Sequence, residues 1–212
     1  MKDYSFYLFD ADGTLFDTAE LIYQCFVYSC RKFGNRHITR PEVFSCIGLT
    51  LPKQFEKYLG PLEPERLAEI QAEHMNYQLS IYKKYLQAFP EVTESLEMLK
   101  SKGKKLAVVT SRKIKTLTLY LQETGMYDFF DVLVTPEDTQ KHKPDPEPAL
   151  KALSLLGAVK SRSLFVGDSV FDIECGRNAD IDTAFVNWSH SSSDLSKVKP
   201  TFCIDNLKEL CL

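Results

Sequence analysis

The sequence lacks the features that mark nucleic-acid-binding, membrane and secreted proteins. Its 26 Lys and Arg stand against 29 Asp and Glu, and no basic stripe with interleaved aromatic residues occurs, so we expect no nucleic-acid partner. No apolar run approaches the ~20 residues that a membrane helix needs. The acidic Asp3 lies where a signal peptide would be basic. We therefore expect no membrane partner either.

Cysteine pairs with metal-binding spacing are also missing. The six cysteines include no Cys-x-x-Cys pair, and the four histidines share no ligand spacing. We interpret the cysteines as free thiols in a reducing compartment, which predicts a cytoplasmic protein, and the histidines as surface or locally bonded residues. The length of 212 residues suits one ordinary domain plus a smaller one. A monomer and a homodimer both remain open.

The chain is organised around its opening stretch. Residues 4–9 form an aromatic and aliphatic run, which indicates a buried strand, and Asp10-Ala11-Asp12-Gly13 follows it directly. The glycine predicts a turn that brings both carboxylates to one place. Adjacent carboxylates repel each other unless a cation compensates, and Mg²⁺ prefers such oxygen ligands. The alternative interpretation is an ordinary acidic turn.

The order of helices and strands predicts the fold class. Helical patterns fill residues 17–87, beginning at a capping-box pattern in Asp17-Thr18-Ala19-Glu20, and no strand pattern interrupts them. Strands and helices alternate from Phe89 onward. This alternation predicts an α/β fold: a Rossmann-like parallel sheet flanked by helices, with a small all-helical domain inserted after the first strand. We expect residues 1–16 and 88–212 to form the core and 17–87 the helical domain.

Polar side chains follow three of the predicted strands. The carboxyl ends of parallel strands meet at one edge of a sheet, where ligands bind. The residues that we expect there are Asp10, Asp12, Thr110, Ser111, Asp168 and Asp172. Lys143 lies in a proline-stiffened loop between the second and third of these positions.

These groups suit phosphoryl transfer, which needs positioning and neutralisation of negative charge. Asp10 could attack phosphorus, Asp12 could act as acid and then base, and Lys143 could stabilise the charge. Asp168 would hold Mg²⁺, with Asp172 as a further ligand or a supporting partner. Taken singly, each group has an ordinary alternative: Thr110, Ser111 and Asp168 could cap helices, and Lys143 could be a solvated loop lysine.

Four motifs in this order resemble those of the haloacid dehalogenase-like hydrolases. They are Asp10-Ala11-Asp12-Gly13-Thr14-Leu15-Phe16-Asp17, Val108-Val109-Thr110-Ser111, Lys143-Pro144-Asp145-Pro146 and Gly167-Asp168-Ser169-Val170-Phe171-Asp172. The early helical insertion is similar to the branch with a small helical cap, which includes phosphoglycolate phosphatases and bacterial pyrophosphatases. Ala11 departs from the pattern, because a bulkier apolar residue often separates the two acids.

The resemblance implies a role for each motif residue. Asp10 would be the nucleophile and Asp12 the acid/base. Mg²⁺ would be held by Asp10, the Asp12 carbonyl and Asp168, with Asp172 nearby. The implied phosphate-binding residues are Thr110, Ser111 and Lys143.

We therefore expect a Mg²⁺-dependent phosphatase acting through an aspartyl-phosphate on a small phosphorylated metabolite. A phosphoglycolate-like ester, pyrophosphate and a nucleotide are the candidate substrates. The alternatives are a sugar phosphomutase resembling β-phosphoglucomutase, a phosphonate hydrolase using Lys53 or Lys57 as a Schiff base, and a non-catalytic binding module. Halide displacement needs no protonation of the leaving group, so Asp12 would have no role in that reaction.

The cap should choose the substrate, because its helices would close over the leaving group. The candidate contacts are Thr18, Glu20, Gly48, Lys53 and Arg112. Arg112 follows Ser111 directly, where its guanidinium could clamp an anionic substrate tail or could simply be solvated at a helix start.

Overall fold

The molecule is built on one six-stranded parallel sheet with helices on both faces. The computed structural model describes residues 2–190, 195–196 and 198–211. The strands are β1 (Phe6–Phe9), β2 (Phe16–Asp17), β3 (Gln87–Ala88), β4 (Lys105–Val109), β5 (Val132–Val134), β6 (Ser163–Gly167), β7 (Asp182–Val186) and β8 (Phe202–Ile204). The sheet order is β5-β4-β1-β6-β7-β8, and β2 pairs with β3 separately. The predicted α/β class is confirmed.

Eight α-helices complete the described part of the chain. They are α1 (Ala19–Gly34), α2 (Arg40–Phe44), α3 (Leu51–Leu59), α4 (Pro64–Tyr85), α5 (Val92–Ser101), α6 (Ile114–Glu123), α7 (Glu147–Leu156) and α8 (Val170–Asn178). Short 3₁₀ helices cover Tyr127–Phe129, Lys160–Arg162 and Leu207–Cys211. In this part of the chain no helix is long and apolar enough to span a membrane.

Strand β1 is central because both of its faces are covered. Tyr7 and Phe9 pack into one hydrophobic cluster of the sheet, whereas Leu8 packs into the cluster on the opposite face. Successive side chains of a strand point to opposite faces. An unbroken apolar run is therefore what a strand between two helical layers requires.

The helices α1–α4, which we call the cap, have a hydrophobic cluster of their own. Phe26 lies at its centre, with ring centroids 5.3 Å from Phe55 and 4.9 Å from Tyr58. The His74 ring lies 4.9 Å from Phe26, so this histidine is buried in the cap and is not a surface residue. Five of the six cysteines are buried and all six are free, as predicted.

A two-stranded ribbon, which the sequence did not predict, joins the cap to the sheet. Phe16 pairs with Ala88 and Asp17 with Gln87 in antiparallel register. The prediction that no strand interrupts residues 17–87 is therefore wrong at both ends of that range. Two-residue strands are too short to show a period in sequence, since only pairing across 70 residues defines them.

The predicted capping box at the start of α1 is also wrong. The helix begins after Thr18, whose hydroxyl makes no cap hydrogen bond and instead donates to Asp12 at 2.5 Å. Glu20 turns outward, where Arg40 pairs with it at 3.1 Å. The Thr18 hydroxyl thus bonds to Asp12 in the neighbouring turn and does not cap the helix.

Candidate active site

The parallel register brings three strand ends to one edge of the sheet. Phe9, the last residue of β1, lies beside Val108 of β4 and Val166 of β6. Asp10, Thr110 and Asp168 follow within two residues of these positions and are buried. Residues that are 58 to 158 positions apart in sequence therefore surround one point.

The turn after β1 requires glycine at position 13. Gly13 has a φ of +84°, and a Cβ there would lie 2.2 Å from Oδ2 of Asp168. Any side chain would therefore be strained in its backbone and would displace the Asp168 carboxylate. Gly13 lets the first turn approach the end of β6 closely.

Three buried carboxylates converge at this edge. Asp10, Asp168 and Asp172 each offer an oxygen within 4.8 Å of the others. Burial, together with the neighbouring Asp172 and Asp12, raises the pKa of Asp10 to about 7 although Lys143 opposes the shift. Burial, together with the neighbouring Asp172 and Asp10, raises the pKa of Asp168 well above its usual range. Crowded carboxylates of this kind fit a divalent cation with oxygen ligands.

Lys143 lies between two of these acids. It is 3% exposed, and its Nζ donates to Oδ1 of Asp10 and to Oδ1 of Asp172, at 2.6 Å each. Burial alone would lower the pKa of Lys143, but the carboxylates of Asp10 and Asp172 outweigh it and raise the pKa. The ammonium group is therefore charged and fixed beside the Asp10 carboxylate.

The remaining contacts distinguish Asp172 from Asp168. Asp172 accepts hydrogen bonds from the backbone N–H of Ser169 at 3.0 Å and from its hydroxyl at 2.6 Å, as well as from Lys143. Both of its oxygens are thus engaged, which favours a supporting role that holds Lys143 and the start of α8. Asp168 accepts a hydrogen bond from the Ser189 hydroxyl at 2.6 Å.

Asp12 is held by a buried arginine. Arg112 donates from Nε to Oδ2 of Asp12 at 2.9 Å and from Nη2 to Oδ1 at 2.6 Å. The guanidinium also lies 4.5 Å from the centre of the Tyr120 ring. Two parallel charge-assisted hydrogen bonds and a stacked ring fix both side chains. The sequence did not predict this pair.

Other predicted site residues divide into two groups. Thr110 accepts from the N–H of Arg112 at 3.1 Å, and the Ser111 hydroxyl donates to the Gly48 carbonyl at 2.7 Å. Gly48 has a φ of +100°, and a Cβ there would lie 2.9 Å from the Ser169 hydroxyl. Thr110, Ser111, Gly48, Thr18 and Arg112 are therefore brought to the site.

Glu20 and Lys53 are not brought to the site. Glu20 is paired with Arg40, and Lys53 is exposed on α3. Lys57, the other lysine considered for a Schiff base, is also exposed on the same helix. Because both lysines point into solvent, the geometry gives the phosphonate hydrolase no support.

A cavity of about 80 Å³ lies between the sheet edge and the cap. The core contributes Asp10, Asp12, Thr110, Ser111 and Arg112. The cap contributes three buried polar side chains that the sequence reasoning missed, namely Gln54, His74 and Gln78. His74 and Gln78 are four residues apart on α4 and so lie on one face of the helix, a spacing that could have identified two of them.

His74 is kept neutral inside the cap. Its Nδ1 shares a hydrogen bond of 2.9 Å with the Ser29 hydroxyl. Burial, with a smaller contribution from Arg112, lowers the pKa of His74 from 6.5 to about 3. The unfolded chain therefore binds a proton below pH 6.5 that the folded chain does not bind until about pH 3.

This difference predicts an acid-labile contribution to stability. Between pH 6.5 and 4 the free energy of unfolding should fall by about 1.4 kcal/mol for each pH unit because of His74. The His74→Gln variant should lack this component, so the difference between wild type and variant should change with pH. Urea unfolding at several pH values measures it. A constant difference over that range would show that His74 is not held neutral by the fold.

The fold and the site together define an α/β protein with a helical cap over a carboxylate-rich edge. Comparison with known families agrees: the model of the haloacid dehalogenase-like hydrolase family matches residues 7–186. The chain belongs to the haloacid dehalogenase-like hydrolases, as its motifs predicted.

Relatives and solved structures match over nearly the full length. A Caldanaerobacter subterraneus subsp. tengcongensis protein with the pyrophosphatase PpaX name is 36% identical over 96% of this chain and 91% of its own. The Halalkalibacterium halodurans pyrophosphatase PpaX is 33% identical over 96% and 93%. A haloacid dehalogenase-like hydrolase from Bacteroides fragilis superposes with a TM-score of 0.90 at 27% identity, covering 98% and 100% of the chains. Family and relatives together support a phosphatase.

Proposed function

We propose that the protein is a Mg²⁺-dependent phosphatase that hydrolyses a small phosphorylated metabolite through an aspartyl-phosphate. The observation that carries the proposal is the position of Lys143, which contacts Asp10 and Asp172 at 2.6 Å each beside the carboxylate of Asp168. An ammonium group fixed against a buried carboxylate suits attack on an anionic phosphoryl group, because it offsets charge on both partners.

Each step of the reaction can then be assigned to a residue of this chain. An Asp10 oxygen attacks phosphorus, and the bond between phosphorus and the leaving oxygen breaks. Lys143 and Thr110 hold the phosphoryl oxygens, with Ser111 at the cap contact. Asp12 gives a proton to the leaving group when it is protonated. The resulting carboxylate, paired with Arg112, then takes a proton from the water that hydrolyses the aspartyl-phosphate.

Mg²⁺ would be held by Asp10, Asp168 and the Asp12 carbonyl. When bound, it supplies positive charge that stabilises the transferring phosphoryl group. Asp10, Asp12, Asp168 and Asp172 carry four formal negative charges, against two positive charges on Lys143 and Arg112. One divalent cation brings this set to neutrality.

The substrates to consider first are pyrophosphate, phosphoglycolate-like esters and nucleotides. Pyrophosphate is the substrate in the names of the two curated relatives. The cavity volume of about 80 Å³ is small compared with the ~300–1,000 Å³ of sites for larger ligands. It favours a compact substrate over a nucleotide. The cytoplasmic location, the absence of nucleic-acid and membrane partners and the division at residues 17–87 remain predictions.

Removal of the cation tests the metal requirement. Phosphate release from p-nitrophenyl phosphate should stop in EDTA and return with excess Mg²⁺. Saturating Mg²⁺ should also stabilise the folded protein, by about 2.7 kcal/mol at one hundred times Kd. Asp168→Asn should abolish this stabilisation, while the exposed Asp128→Asn should retain it. Full activity in EDTA, or an equal Mg²⁺ response in the Asp168 variant, would remove the proposed metal site.

A further inference from the structure

The cap side of the active-site cavity is polar but carries no charge. Among the described residues that line the cavity, the cap contributes no Asp, Glu, Lys or Arg. Its polar side chains are two carboxamides and a histidine that burial holds neutral, namely Gln54, Gln78 and His74. This wall lines the same cavity as Asp10, where the phosphoryl group would bind, so the leaving group would lie against it.

The core offers little positive charge to that position. The cations that line the cavity are Arg112 and Lys113. Arg112 is 9% exposed and donates to both carboxylate oxygens of Asp12. Lys113 is exposed to solvent. A carboxylate or a second phosphate on the leaving group would thus lose its water and meet no unpaired buried cation, which is unfavourable.

The two carboxamides have unused hydrogen-bonding capacity. Gln78 is 6% exposed and makes no side-chain hydrogen bond within the described ranges. Gln54 donates from Nε2 to the Leu49 carbonyl at 2.9 Å, which fixes the orientation of its amide. Its Oε1 is buried and has no partner in that part of the chain. A buried acceptor of this kind is matched by a donor, and a carboxylate has none.

From this wall we infer that Gln54 and Gln78 select a small, uncharged leaving group that carries a hydroxyl. A hydroxyl both donates and accepts, so it can pair with the oxygen and the nitrogen of a carboxamide. The inference rests on the proposed phosphatase function and narrows its substrate class to phosphate esters of small hydroxylated alcohols. It predicts that these esters are better substrates than phosphoglycolate and pyrophosphate, whose leaving groups carry charge.

Two esters of equal size test the inference. In 2-hydroxyethyl phosphate a hydroxyl stands where propyl phosphate has a methyl group. The wild-type kcat/KM for the hydroxylated ester should be at least about tenfold higher, since a site built to pair with a hydroxyl rejects the analogue that lacks it. In the Gln78→Met and Gln54→Met variants, the ratio of kcat/KM for 2-hydroxyethyl phosphate to that for propyl phosphate should fall close to one. Gln122→Met, an exposed glutamine on α6, should leave the ratio as in wild type.

This ratio of kcat/KM values distinguishes recognition of the hydroxyl by the glutamines from a structural role of the same side chains. A loosened cap would slow the hydrolysis of both esters alike. A wild-type ratio near one, or a ratio that neither variant changes, would overturn the inference while phosphate release upheld the phosphatase. Faster turnover of phosphoglycolate or pyrophosphate than of 2-hydroxyethyl phosphate would also overturn it. Failure to release phosphate from any of these compounds or from p-nitrophenyl phosphate would overturn the proposed function itself.

Discussion

Replacing Asp10 by Asn should lower the rate of phosphate release by at least about a thousandfold, because an amide cannot form the covalent intermediate. The change keeps the shape of the side chain and removes one negative charge from a crowded set of acids. Burial already raises the pKa of Asp10 to about 7. The variant should therefore fold at least as stably as wild type, so the loss is one of chemistry.

The matched control is Asp128→Asn, which makes the same change at an exposed position. Steady-state phosphate release and urea unfolding should be measured on both variants. Turnover of Asp10→Asn within about tenfold of wild type would show that Asp10 is not the nucleophile. A large loss of stability in that variant would show that its carboxylate is a structural ion-pair partner.

Replacing Lys143 by Met should destabilise the protein by about 3 kcal/mol at neutral pH without Mg²⁺. Removal of one partner from a buried ion pair leaves uncompensated charge, and such changes cost about 3–5 kcal/mol. The lower end applies because Asp10, whose pKa is about 7 even beside Lys143, can take up a proton when the ammonium group is lost. Activity should fall together with stability.

Lys141 provides the control two residues away. Its side chain is 72% exposed and pairs with Asp145 at 3.4 Å. Surface pairs of this kind contribute ~0–1 kcal/mol, so Lys141→Met should unfold close to wild type in urea. If the two variants proved equally stable, the buried contacts of Lys143 with Asp10 and Asp172 would not hold in solution.

The sequence predicted the sheet and its polar edge because both depend on local patterns. An apolar run such as β1 indicates a strand between two layers, and parallel strands end at one edge. The positions of Asp10, Thr110 and Asp168 follow from these two facts. The glycine turn was also readable, since Gly13 must adopt a positive φ next to Asp168.

Contacts between distant segments could not be predicted in this way. Asp12 and Arg112 are 100 residues apart, and nothing in either neighbourhood indicates that they pair. The ribbon of β2 and β3 joins residues on either side of the cap through two pairs. The sequence indicated for His74 only a surface or locally bonded residue, and the folded cap shows that it lines a cavity. Such features arise from packing, which sequence periodicity does not encode.

A crystal structure with Mg²⁺ and beryllium fluoride, a mimic of a phosphorylated carboxylate, tests the central claim most directly. The fluoride group should be bound to Asp10 and touch Lys143, and one Mg²⁺ should contact Asp10 and Asp168 at about 2.1 Å. A Mg²⁺ ion bound away from these carboxylates, or a fluoride group on any other residue, would contradict the account.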